Sequence, residues 1–201
     1  MYLYVVSEAL NGGSLDNSEE LARESLLQDL ADLGESARVS TIDIGRGASC
    51  GAFSIILDWL PTLSPIALFF LGGQIEKNLD AWISLARRLR TLADKLRQIG
   101  HPPVISFEAA CAIAFDEIAA NGWHKSELEI SHIVLSNKYV QMHYSFPSME
   151  ALKEFVEADR KQDFDPLAAE AIYTFLGSAD GKLFIVTVDG DGAVLVSRQL
   201  Y

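Results

Sequence analysis

Cysteine is scarce in this chain: Cys50 and Cys111 are the only two in 201 residues. They lie far apart, with no Cys-x-x-Cys pair and no Cys/His ligand spacing, so neither a disulfide framework nor a structural zinc site is expected. Two isolated thiols fit a reducing compartment. Histidine is equally sparse: His101, His124, His132 and His143 never fall into metalloprotease spacing. Positive charge is short, with 16 Lys and Arg against 28 Asp and Glu, a net charge of −12. A field of that sign repels nucleic-acid phosphate and anionic lipid and favours basic partners, so no nucleic acid is expected. A membrane-length apolar run is also missing. The greasiest stretch, Trp59 to Ile75, has no charge but is broken by Pro61, Pro65, Gly72 and Gly73, and no membrane span is expected. Met1 to Val6 carries no basic leader, which points to a cytoplasmic location. Nothing in the composition calls for a cofactor or a metal.

What is present reads as an α/β to α+β chain. Tyr2 to Glu8 has the bunched aromatic and β-branched residues of a strand. A helix follows from near Asp16 or Asn17, with Leu21, Leu26, Leu27, Leu30 and Leu33 as its buried stripe and Gly34 as its stop. Arg38 to Ile44 alternates as a second strand. A short helix is expected from about Cys50 to Leu60, closing against Pro61, and Ile66 to Leu71 as a buried hydrophobic strand. Ile75 to Gln98 is the clearest helix, its apolar residues Ile75, Leu79, Trp82, Ala86, Leu89, Ala93 and Leu96 alternating four and three apart. Such a stripe suits packing on a sheet, or a homo-oligomeric seam along residues 75–96.

Gly100-His101-Pro102-Pro103 marks a boundary between a βαβ-like lobe, 1–100, and an α+β lobe, 101–201, within what could be one continuous domain. Beyond it the pattern predicts a short strand at Val104-Ile105 and a helix from Phe107 to Ala120, capped by Ser106 and stopped by Asn121-Gly122. Antiparallel hairpins then turn at Ser136-Asn137-Lys138, Ala179 to Lys182 and Asp189 to Gly192, the last two with Asp-Gly signals. Ser148 opens a further helix, with Met149, Leu152, Phe155 and Val156 facing inward.

Few residues carry a chemical signal. Cys50, in Gly47-Ala48-Ser49-Cys50-Gly51, would gain thiolate character if a helix began there. His132 and His143 could meet across a hairpin, depending on register. Gly12-Gly13-Ser14 and Gly72-Gly73 each separate a strand from a helix, where α/β folds bind phosphate, although neither matches a phosphate-loop motif and Glu19, Glu20 and Glu76 lie nearby. Asp189-Gly190-Asp191-Gly192 lacks the later ligands of a calcium loop and reads as a turn.

Charge is unevenly spread. Six basic residues against three acids between Glu76 and Gly100 give +3 there: Lys77, Arg87, Arg88, Arg90, Lys95 and Arg97 against Glu76, Asp80 and Asp94. They suit a docking face for phosphate or acid, or intramolecular pairs. Glu150, Glu154, Glu157 and Asp159 begin an acidic stretch. With no convergent catalytic set, the leading expectation is a non-enzymatic cytosolic interaction protein: an accessory, inhibitor or immunity-type factor. It would hold a protein partner, possibly basic, through Glu150, Glu154, Glu157, Asp159, Trp82 and Leu89. The alternative is a small-molecule- or nucleotide-binding protein, with or without catalysis, using Gly12, Gly13, Ser14, Gly72 and Gly73.

Overall fold

Four short extended segments, three from the first 57 residues and one from just past residue 100, pair across the sequence rather than along it. They are resolved in a computed structural model, which describes residues 3–7, 15–42, 51–58, 75–122, 129–137, 140–148, 151, 154, 171–179 and 181–200. β1 (Leu3–Ser7), β2 (Ala37–Ile42), β3 (Gly51–Leu57) and β4 (Pro103–Ile105) form an antiparallel sheet in the order β2-β3-β1-β4. Helix α1 (Leu15–Asp32) falls between β1 and β2 in sequence, and α2 (Ile75–Gln98) between β3 and β4. β1 and β2 both run antiparallel to β3, so they are parallel to each other with β3 slotted between them. β3 and β4 flank β1 in the same way. This is the doubled split βαβ connectivity of ferredoxin-like sheets.

Segment 51–57 is a strand, not the helix that the small residues around Cys50 suggested. As an inner strand it is covered on both faces: Phe53, Ile55 and Leu57 are buried, and so are Ala52 and Ser54. Burial on both sides removes the polar alternation that would have announced it. The loss of a helix there also removes the reason to expect an activated thiol at Cys50, which itself lies outside the described residues.

Both long helices end as glycine predicts. Gly34 (φ 78°) and Gly100 (φ 87°) take the left-handed conformation, and Glu35 and His101 donate back to the carbonyls of Leu30 and Leu96 at 2.9 and 2.8 Å. Along α2, Ala86, Leu89, Leu92, Ala93 and Leu96 are buried within this chain. Along α1, Leu26 and Leu30 are buried but Leu21 is 64% exposed, contrary to its place in the expected stripe. Five residues separate Leu21 from Leu26, which rotates it about 140° round the helix.

Helix α3 (Phe107–Ala120) starts where Ser106 caps it, the hydroxyl accepting from Ala109 N at 3.4 Å. Eleven of its 14 residues are buried, so it must be enclosed on nearly every side. It packs on α2, with Ala86 against Ala112, on β4, and on the second sheet. That sheet comprises β5 (Glu129–Ser136), β6 (Gln141–Ser145), β7 (Ile172–Ala179), β8 (Lys182–Asp189) and β9 (Val194–Leu200), antiparallel in the order β6-β5-β7-β8-β9. Its inner face presents Ile133, Leu135, Tyr173, Phe175, Phe184, Val186 and Val188, and Phe107 of α3 lies 6.3 and 6.1 Å from the rings of Tyr173 and Phe175. The class is therefore α+β.

The two sheets are tied together at one point. Buried Tyr173 donates its hydroxyl to the carbonyl of Ile105 on β4 at 2.9 Å, and Ile105 N donates to Gly190 O at 2.8 Å. The Asp189–Gly192 turn is organised by the Asp189 carboxylate, which accepts from Asp191 N and Ala193 N at 3.0 and 2.8 Å. Arg97 of α2 donates to the Asp191 carbonyl. A single buried core runs through both halves, and β4, from beyond residue 100, completes the first sheet.

Candidate functional site

Charge separates the surface into distinct regions. From Asp16 to Glu35 there are seven acids and one base, Arg23, a net of −6 and half of the whole chain's excess. Because α1 buries only one side against β2 and the core, its outward rows carry Glu20, Glu24 and Asp32 together with exposed Leu21, Ser25 and Gln28. Several acids on the flanks are engaged: Asp29 with His101 Nε2 at 2.9 Å, Glu35 with Arg88 at 2.9 Å, and Glu19 accepting from Thr41 Oγ1 at 2.6 Å. Glu20, Glu24 and Asp32 face solvent, Glu20 with Arg23 at 3.6 Å and Asp32 accepting from Gln28 Nε2 at 2.8 Å.

The cations of α2 are occupied by acids of the same chain. Arg87 and Arg90 both meet the buried Asp116 carboxylate of α3, at 3.3 and 3.2 Å, and Arg90 also approaches Glu117 at 3.8 Å. Arg88 pairs with Glu35, and Arg97 with Asp94 at 2.6 Å. Four of the six basic residues that could have formed a phosphate-docking face thus serve internal pairing. Arg90 Nη2, buried and 3.8 Å from the Glu117 carboxylate, has no acceptor within hydrogen-bond distance.

The outer face of the second sheet is the other extended surface. Strand register places Leu176 beside Ile185, Thr174 beside Thr187 and Leu183 beside Leu200, all pointing away from α3, with Val134 and Val196 in the flanking strands. Leu183 is 50% and Leu200 37% exposed. Thr174 and Thr187 join hydroxyls at 3.1 Å in the middle of this face. Outward positions of β7, β8 and β9 mix Leu176, Leu183, Ile185, Val196 and Leu200 with Thr174, Ser178, Thr187, Asp189 and Arg198, and Thr187 is buried. His132 opposes Ser145 and His143 opposes Val134, which sets the two imidazoles diagonally on this same face, both exposed. Among the described residues no group of three or more His, Cys, Asp or Glu is arranged to hold a metal ion.

The residues singled out from sequence fall as follows. Glu154 is helical and exposed, Ala151 is helical and donates its amide to Ser148 Oγ at 3.3 Å, and the rest of the helix expected from Ser148 lies outside the described residues. Glu150, Glu157 and Asp159 lie outside the described residues, as do Gly12, Gly13, Ser14, Gly72, Gly73, His124 and segment 66–71. Trp82 falls on α2. Leu89 is 1% exposed inside this chain's own core, which leaves no surface for a second chain at that position. Cys111 is enclosed in α3, and burial pushes its thiol well above the ordinary range, so it stays protonated and unreactive. The acidic face of α1 carries no motif, and its only sequence signal is the count of seven acids against one base from Asp16 to Glu35. Which residues of β7 to β9 point outward depends on register, which no local sequence pattern specifies.

No described helix is long and apolar enough to cross a membrane. No family model, curated protein or solved structure matches the chain.

Proposed function

We propose that this protein is a non-catalytic cytoplasmic interaction factor, of the accessory, inhibitor or immunity type, that docks a basic protein partner on an acidic surface. The observation that carries this reading is the outward face of α1, where Glu20, Glu24 and Asp32 stand exposed on a segment of net charge −6. Of the cations of α2, Arg87, Arg90 and Arg97 pair with acids outside this segment, while Arg88 meets its last acid, Glu35, and Arg23 lies 3.6 Å from Glu20. Exposed Leu21 adds an apolar contact within the acidic rows, and in this proposal the acids Glu150, Glu154, Glu157 and Asp159 contribute to the same negative field. Such a field steers a cationic partner into encounter and rejects anionic ones.

The test is capture of partners from the native cell extract with the wild-type protein and with a Glu20→Lys, Glu24→Lys double variant, at low and moderate salt. A stoichiometric basic protein held by the wild type should associate about tenfold more slowly with the variant, and salt should weaken the wild-type complex. Equal association rates and equal salt dependence for the two proteins would remove α1 as the docking face.

A further inference from the structure

We propose that Asn121-Gly122 is a self-modification site that the native fold keeps closed. The asparagine converts to aspartate or isoaspartate only when the end of α3 opens, and the conversion then destabilises that end. An Asn-Gly pair is suited to this chemistry because glycine puts no side chain in the path of its own backbone nitrogen. The chain has two such pairs, Asn11-Gly12 and Asn121-Gly122, and the second lies among the described residues. Both Asn121 and Gly122 are exposed, so water and hydroxide reach them.

In the first step the Gly122 nitrogen gives its proton to solvent base and bonds to the side-chain carbon Cγ of Asn121. The Cγ–Nδ2 bond breaks, and Nδ2 takes a proton from solvent and leaves as ammonia. A five-membered succinimide ring remains, which water then opens. Cleavage of the new Cγ–N bond restores the main chain with an aspartate side chain. Cleavage of the original C–N bond leaves the chain running through Cγ, as isoaspartate. Water is consumed and ammonia released, with no change of oxidation state.

Both reacting groups are tied up in the folded protein. The Gly122 amide donates to Ala119 O at 2.9 Å. Asn121 Nδ2 donates to Glu117 O at 2.8 Å, and to Glu117 Oε1 and Ser197 Oγ of β9, each at 3.1 Å. The Glu117 carbonyl and carboxylate can only accept, which fixes the side-chain amide with its nitrogen toward them. The backbone angle is the larger obstacle. Ring closure needs Cβ and the Gly122 nitrogen eclipsed about the Asn121 Cα–C bond. At the native ψ of 2°, tetrahedral geometry at Cα sets them about 120° apart. Rotating that bond pulls the Gly122 amide off Ala119 O and dismantles the left-handed turn at Gly122, φ 72°. Reaction therefore requires the last turn of α3 to fray.

The product does not fit the native site. Nδ2 is replaced by a carboxylate oxygen facing the Glu117 carbonyl and carboxylate, at the negative end of the α3 dipole. Ser197 can turn its hydroxyl to donate, but Glu117 has no proton to offer. Isoaspartate also lengthens the main chain by a methylene and displaces the Gly122 amide from Ala119 O. The opening that permits the reaction is thus easier after it, and a molecule that has frayed there carries a permanent mark.

The experiment incubates the full wild-type chain in warm, mildly alkaline buffer, with and without guanidinium chloride above its unfolding midpoint. Peptides carrying residues 11–12 and 121–122 are then followed by mass and chromatographic retention after digestion at acid pH. In denaturant both pairs should convert at comparable rates, and in native buffer the 121–122 pair should convert at least about tenfold more slowly than in denaturant. Equal rates at 121–122 with and without denaturant would overturn the protection by the fold. An inert 121–122 pair in denaturant, while 11–12 converts, would overturn the site itself. For the consequence, Asn121→Asp should melt below the wild type and below Asn121→Gly, which removes the same donor without adding charge, and added salt should narrow the gap. A melting point for Asn121→Asp equal to that of the wild type would overturn the destabilisation, and one equal to that of Asn121→Gly would overturn the repulsion by Glu117. If Asn121→Asp fails to fold, the wild-type kinetics decide alone.

Discussion

Gly177 shows how a single residue is dictated by its surroundings. It sits on β7 opposite Ile130, beside the bulge between Ile130 and His132 that lets β5 bend. A methyl group there would run into the carbonyl oxygen of Glu129 and the ring of Phe184. The oxygen belongs to backbone held in a strand, so it cannot swing aside. Gly177→Ala should therefore destabilise the protein by at least about 2 kcal/mol through overpacking, read as a lower urea midpoint at unchanged slope. Gly181, where a Cβ meets nothing, is a different case: its cost is the left-handed φ of 72° in the β7–β8 turn.

At the level of the element, the helices show how one leucine differs from another. Leu89 of α2 is 1% exposed and surrounded by the core, while Leu21 of α1 is 64% exposed. Leu89→Ala should cost about 2–5 kcal/mol, the range for a cavity in a packed interior. Leu21→Ala should stay within about 0.5 kcal/mol, as surface changes do. Thermal unfolding of the two variants side by side separates these outcomes. Equal small effects would mean that the heptad stripe of α2 is not core. The stripe was visible as a 3.6-residue repeat; that its seam is filled by this chain's own strands and helices was not, because a repeat specifies a buried face and not what buries it.

For the whole molecule, the tie between sheets is what matters. β4 is only three residues, yet it pairs with β1, lends its carbonyl to Tyr173 and its amide to Gly190. α3 then fills the space between α2 and the second sheet. A fragment of residues 1–100 lacks both, so it would expose the β1 edge and the face of α2 that meets α3. It is expected to show no cooperative melting alone, while the full chain unfolds in one calorimetric transition. Independent cooperative folding of that fragment would show that the two halves need no shared core.

Local signals were sufficient for much of this protein. Ile75–Gln98 and Phe107–Ala120 match the apolar spacing, the Ser106 cap and the glycine stops, because helix periodicity and capping operate within a few residues. The Asp-Gly hairpins of β7 to β9 follow from turn chemistry of the same short range. The acidic field was likewise a matter of counting. Only tertiary structure decided that 51–57 is an inner strand, that β4 joins β1, that Asp116 absorbs two arginines, and that Leu176, Ile185 and Leu183 point outward. Each of these depends on strand order, register or helix placement, which are set by contacts between residues distant in the chain and leave no trace in the spacing of their neighbours.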